Sequence, residues 1–216
     1  MRPSVLLFDL DGTLVDSVSG ICASAAAACV ALGYPAPDEA LFRPMIGLPL
    51  ARMLRAGLPP EVDDALVERC SEEYRAIFDR IALPTTAPFP GVEAALGRWR
   101  RQGRRLGLAT SKRTDVALRV LERAGLAGYF EVVVGGDQVA RGKPHPDTVL
   151  HALARLGAEA RQAAMVGDTA HDVLMALAAD VAPYGVGHGV HACAELEAAG
   201  ALAVVDRFEE LADYLG

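Results

Sequence analysis

Apolar and polar positions along the chain follow two different rhythms. From residue 17 to about 85 the apolar positions recur at three- and four-residue steps, most clearly at Val62, Leu66, Val67, Cys70, Tyr74, Ile77, Phe78 and Ile81. That spacing keeps one side of a helix apolar, so the whole stretch is predicted to be helical. Ser17 is placed to cap a first helix running to about Leu32, which Gly33, Tyr34 and Pro35 end. Asp38 opens a short helical piece that Pro44 breaks, and Pro49 opens another that stops at Gly57. Pro60 is suited to the first position of the long helix that follows.

Elsewhere short apolar runs alternate with amphipathic segments. Strands are expected at residues 5–8, 105–110, 131–135, 163–167, 181–186 and 202–205, and helices at 91–102, 114–124, 146–156 and 171–179. Strands separated by helices predict β-α-β units and a parallel sheet. The fold class expected is therefore α/β, a Rossmann-like parallel sheet with helices on both faces. Its core comprises residues 1–16 and 86–216, with residues 17–85 as an all-helical insertion after the first strand. Pro84, Pro88 and Pro90 mark the second junction as a linker or hinge.

Composition narrows the function. At 216 residues, 52% of them hydrophobic, the chain is long enough for one buried core carrying a modest insertion. A net charge of −7 argues against a nucleic-acid partner, whose backbone is held by clustered cations. The most apolar stretch, 21–32, is mainly alanine and falls short of the roughly 20 residues that span a membrane. Asp9 and Asp11 interrupt the one N-terminal apolar run, so no signal-peptide pattern appears. Cys22, Cys29, Cys70 and Cys193 form no C-x-x-C pair and have no histidine at zinc-ligand spacing. Reduced thiols in a cytoplasmic monomer or homodimer are expected. Against 19 arginines there are only two lysines, Lys112 and Lys143. A surviving lysine suits a place where a compact charge meets a phosphate oxygen.

Four segments carry candidate chemistry. The apolar run at 5–8 ends on Asp9 and Asp11, at the strand end where open α/β sheets bind ligands. Spaced two apart, the acids share a face of a straight strand, and Gly12 lets the chain turn away at once. Carboxylates that close favour a bound metal ion or a shared proton. A second strand ends in Thr110, Ser111 and Lys112 before a helix start, which suits an anion. Lys143 precedes Pro144, which keeps it out of helical geometry. A fourth run ends in Gly167 and Asp168, with Asp172 one helical turn further on. Taken singly, each has an ordinary alternative: an N-cap, a solvated loop lysine, or an acid favouring a helix dipole.

Together and in this order, Asp9-Leu10-Asp11-Gly12-Thr13, Thr110, Lys143-Pro144 and Gly167-Asp168-x-x-x-Asp172 resemble the motifs of the haloacid dehalogenase superfamily, and within it the phosphoglycolate phosphatase group. The resemblance covers essentially the whole chain. It implies a phosphatase in which Asp9 is the nucleophile, Asp11 the general acid and base, and Thr110 and Lys143 the holders of the phosphoryl group. It further implies a Mg²⁺ site formed by Asp9, Asp11 through its backbone carbonyl, Asp168 and Asp172. The substrate expected is a small phosphorylated metabolite, with Gly12 and Ser111 beside it. Arg43 of the insertion, with Arg52 and Arg55, is a candidate for a second anionic group. His145 and His171 are expected to have no direct role.

Rival readings differ in particular residues. A phosphosugar mutase of the same superfamily would keep the same core residues. A phosphonoacetaldehyde hydrolase is disfavoured because residues 17–85 contain no lysine, and a haloalkanoic acid dehalogenase because it would not keep Asp11. A phospho-receiver signalling module fits neither the length nor the late acids Asp168 and Asp172. The chain departs from the resembling group at Asp180, where a glycine is usual, and along 183–189.

Overall fold

The computed structural model describes residues 2–216. Its strands are β1 (Val5–Phe8), β2 (Val15–Asp16), β3 (Ala87–Pro88), β4 (Arg105–Ala109), β5 (Val132–Val134), β6 (Ala163–Gly167), β7 (Ala182–Val186) and β8 (Ala203–Val205). Six of these form one parallel sheet in the order β5-β4-β1-β6-β7-β8. β1 lies at its centre, with Val5 level with Arg105 on one side and Ala163 on the other. Its residues are buried on alternate faces: Leu6 and Phe8 belong to one apolar cluster, Val5 and Leu7 to another. A strand covered on both sides reads as an unbroken apolar run, which is why the sequence gives it away. Full burial of Leu6, Leu7 and Phe8 stabilises the fold by about 2 kcal/mol each.

The helices are α1 (Val18–Ala31), α2 (Glu39–Phe42), α3 (Leu50–Gly57), α4 (Asp64–Ile81), α5 (Val92–Arg101), α6 (Thr114–Arg123), α7 (Asp147–Leu156), α8 (Ala170–Ala178), α9 (Cys193–Ala199) and α10 (Leu211–Leu215). Trp99 of α5 stacks on Phe8 with centroids 5.7 Å apart, while Val149, Leu153 and Leu156 of α7 and Met175 of α8 pack with Leu7 on the opposite face. α1 to α4 lie between β2 and β3 in the chain, and α1 and α4 pack along one another, bringing Cys29 Sγ to 4.0 Å from Cys70 Sγ. All four cysteines are free. Among the described residues no helix is long and apolar enough to cross a membrane.

Several local expectations are corrected. The long helix begins at Asp64, because Asp63 caps it by accepting a 2.8 Å hydrogen bond from Leu66 N–H, which leaves Pro60 and Val62 outside. Pro44 does not end the helical path: a 3₁₀ turn, Arg43–Met45, continues directly from α2. The junctions are not bare linkers, since β2 and β3 pair antiparallel with Val15 opposite Pro88 and Asp16 opposite Ala87. The short helices α9 and α10 had no counterpart in the sequence reading. Asp180 has φ +55°, the left-handed region that glycine enters most freely, which accounts for the glycine usual at that place.

Candidate active site

Counting outward from β1, the chain goes on to β4 and β5 on one side and to β6, β7 and β8 on the other. Such a reversal opens a crevice beyond the C-terminal ends of the strands. Asp9 follows β1, Thr110 follows β4 and Asp168 follows β6, so parallel pairing sets the three side by side. Asp172 is in the first turn of α8, where Thr169 and Asp172 form a reciprocal cap, Thr169 Oγ1 donating to Asp172 Oδ2 at 2.6 Å. Lys143 enters from the loop after β5 with its side chain fully buried. Its Nζ lies 2.7 Å from Asp9 Oδ1 and 2.6 Å from Asp172 Oδ1. The Lys143–Pro144 peptide is cis.

Oxygens of Asp9, Asp168 and Asp172 lie within 4.8 Å of one another, and all three residues are buried. Burial chiefly, with Asp172 and Asp11 adding and Lys143 opposing, pushes the Asp9 carboxyl up to about 6. Burial and the neighbouring Asp172 and Asp9 raise Asp168 well above the carboxylate range, although Thr13 Oγ1 and Val190 N–H donate to it at 2.7 and 2.9 Å. Burial would lower Lys143, but Asp172 and Asp9 outweigh it and raise the ammonium above its ordinary value. Three buried carboxylates against one ammonium leave excess negative charge, which a cation would relieve. An all-oxygen donor set suits a hard divalent ion.

Asp11 faces the cavity from the other side. Its Oδ2 is 3.1 Å from Lys112 Nζ, and its Oδ1 accepts a 2.7 Å hydrogen bond from Ser17. Ser17 precedes α1 but makes no side-chain cap, so its hydroxyl serves Asp11 and not the helix. Lys112 also lies over the Phe78 ring of α4, 4.2 Å from the centroid. The scarcity of lysine pointed to Lys112, but the motif comparison gave it no role.

Between this floor and the inserted helices lies a cavity of about 100 Å³. Asp9, Asp11, Thr110, Ser111 and Lys112 line its lower part, and Ile21, Ile46, Leu48, Met53, Tyr74 and Phe78 its roof. Ser111 Oγ donates to the Gly47 carbonyl of the insertion at 2.6 Å. Gly12 is not among the lining residues. At φ +77° it packs so closely on Asp168 that a Cβ would overlap the carboxylate. Arg43 does not line the cavity either, its guanidinium donating to the Gly189 carbonyl at 3.4 Å.

The segment after β7, set apart by its unusual sequence, closes around Asp168. Ala170 N–H donates to His191 Nδ1 at 3.0 Å, so Nε2 carries the proton and donates to the Pro44 carbonyl at 3.1 Å. His188 Nε2 lies 3.2 Å from the Thr13 carbonyl. His171 is half-buried against His191, and burial foremost lowers its pKa. His145 Nδ1 lies 2.8 Å from Asp147 Oδ1.

A family model described as haloacid dehalogenase-like hydrolase matches residues 6–186. The chain is 45% identical over 214 residues to a protein of Dickeya dadantii named "Probable phosphatase IndB", covering 98% of this chain and 92% of that one. It is 38% identical over 202 residues to a phosphoglycolate phosphatase of Escherichia coli K12, covering 84% and 80%. Among solved structures, a hydrolase from Pseudomonas syringae superposes with a TM-score of 0.89 at 30% identity, covering 98% of this chain and 97% of that one.

Proposed function

This chain belongs to the haloacid dehalogenase-like hydrolase family and is a phosphatase, and from that premise we propose that it cleaves a small phosphate monoester in two steps, with the phosphoryl group carried on Asp9. What supports the reading is the convergence of Asp9, Asp11 and Thr110 on one cavity floor, with the Lys143 ammonium buried directly against Asp9. In the first step an Asp9 oxygen bonds to phosphorus while the P–O bond to the leaving alcohol breaks, and Asp11 gives its proton to that oxygen. In the second, water attacks phosphorus, Asp11 takes the water's proton, and the Asp9–phosphorus bond breaks. Lys112 and Ser17 hold the Asp11 carboxyl in place through both steps. Lys143 and Thr110 face the phosphoryl oxygens, where fixed charge and hydrogen-bond donors contribute most to this kind of transfer.

Asp9, Asp168 and the backbone carbonyl of Asp11 would hold Mg²⁺, with Asp172 behind them. The bound ion supplies positive charge that offsets the charge on the phosphoryl oxygens. The inserted helices act as a cap that excludes water and selects the leaving group. Phosphoglycolate belongs in any substrate panel, since it is in the name of the Escherichia coli relative.

The test is to incubate the protein with acetyl phosphate and Mg²⁺, trap the acyl phosphate with hydroxylamine, and locate the modified residue by mass spectrometry. Modification of Asp9 is expected. Modification elsewhere, or full turnover in excess chelator, would overturn the mechanism or the metal respectively.

A further inference from the structure

The roof of the cavity has a chemistry that the family does not dictate. Ile21, Ile46, Leu48, Met53, Tyr74 and Phe78 face the space where a leaving group must sit when phosphorus is over Asp9. The cations on its border already face carboxylates: Lys112 is 3.1 Å from Asp11, Arg75 is 3.4 Å from Glu68, and Arg113 is 3.0 Å from Asp115. Among the insertion arginines Arg75 reaches the space, beside Asp79 of the same helix. Arg43 is bonded to Gly189 and Arg55 to Val62 and Asp64, while Arg52 lies outside the lining. A carboxylate brought in on the leaving group would lose its water against alkyl and aromatic walls, where each bordering cation already faces a carboxylate. An uncharged ring or branched alkyl group would instead replace water along those walls.

We propose that the alcohol this enzyme releases is uncharged and apolar, aryl or branched alkyl in character, and that glycolate is disfavoured. The inference rests on the phosphatase reading and adds the class of substrate.

The experiment measures kcat/KM for acetyl phosphate, ethyl phosphate, 2-phenylethyl phosphate and 2-phosphoglycolate at one Mg²⁺ concentration. The ethyl and phenylethyl esters leave as unactivated primary alcohols, so their ratio reports binding in the cavity. The phenylethyl ester is expected to exceed the ethyl ester by about tenfold or more, with phosphoglycolate no better than ethyl phosphate. A tenfold preference for phosphoglycolate, or no gain from the phenyl ring, overturns this inference and leaves the phosphatase reading standing. No hydrolysis of any compound, acetyl phosphate included, overturns both. Met53→Gln, close in shape but polar, should reduce the phenylethyl-to-ethyl ratio by about threefold or more. An unchanged ratio in the folded variant counts against the proposed wall. The wild-type comparison decides the matter even if the variant does not fold.

Discussion

Asp9, Thr110 and Asp168 are held by neighbouring parallel strands, each side chain fixed by the register of a central ladder. Ile21, Ile46, Met53 and Phe78 come from α1, the loop after the 3₁₀ turn, α3 and α4, and meet only because those elements pack. The floor is therefore polar, buried and specified by a few residues at strand ends. The roof is apolar and specified by many. On the proposed mechanism a single exchange in the floor removes a chemical step, whereas one in the roof removes a fraction of a surface. Kinetics should separate the two regions, the floor acting on kcat and the roof on which ester is preferred.

The sharpest division is expected from Asp9→Asn, which removes the proposed nucleophile and should lower kcat by about 10⁴-fold or more. The same change should stabilise the metal-free protein. A carboxyl whose folded pKa, about 6, lies above its unfolded value of 3.8 binds its proton more tightly when folded. Stability is consequently lost as pH rises from about 4 to 6 and stays lost above it. At pH 7.5 the asparagine variant should regain up to about 3 kcal/mol, seen as a higher melting temperature in chelator, with little gain at pH 4. An unaltered melting temperature at pH 7.5 would mean that the buried charge is already relieved without metal.

Lys112 touches both regions. Lys112→Met should lower kcat by about 10- to 100-fold on every ester, because Asp11 loses the group that orients it, and Lys112→Arg should recover part of the loss. Phe78→Leu, on the roof side of the same contact, should change KM and ester preference more than kcat. If the two variants lower kcat equally, floor and roof are not separable at this point.

Asp180→Gly is the smallest expected effect and lies outside both regions. It relieves a left-handed aspartate but frees the unfolded chain, so a net gain of about 0.5 kcal/mol and a rise of about 1–2 °C in Tm is expected. Kinetics should not change. A change in ester preference would show that the turn between α8 and β7 acts on the cavity.

The contrast also explains what could be read from the sequence. The floor was legible because Asp9, Thr110 and Asp168 each follow an apolar run, and a strand buried on both faces announces its own end. The β2–β3 ladder was not, because two residues per strand, one of them Pro88, are too few to display a period. Pro60 satisfied a rule for helix starts, but the actual start was decided by Asp63, whose carboxylate reaches Leu66 N–H. Ser17 looked like a cap and serves Asp11, a choice that only tertiary structure makes. Arg43 was a reasonable anion-binding candidate by charge, yet its direction depends on how the 3₁₀ turn meets Gly189. The roof residues carried only the spacing of an ordinary amphipathic helix.

Two contacts that fasten the insertion to the floor, Ser111 to Gly47 and His191 to Pro44, end on main-chain carbonyls of the insertion and originate in core side chains. A carbonyl is supplied by whatever residue occupies the position. Lineages can thus exchange the side chains of the inserted helices one after another while these fastenings persist, provided the turn that presents the two carbonyls keeps its path. Gly47, at φ +98° and against Thr169, is where that freedom ends. Roof side chains proposed to set ester preference can therefore change without touching the contacts that attach the insertion to the floor.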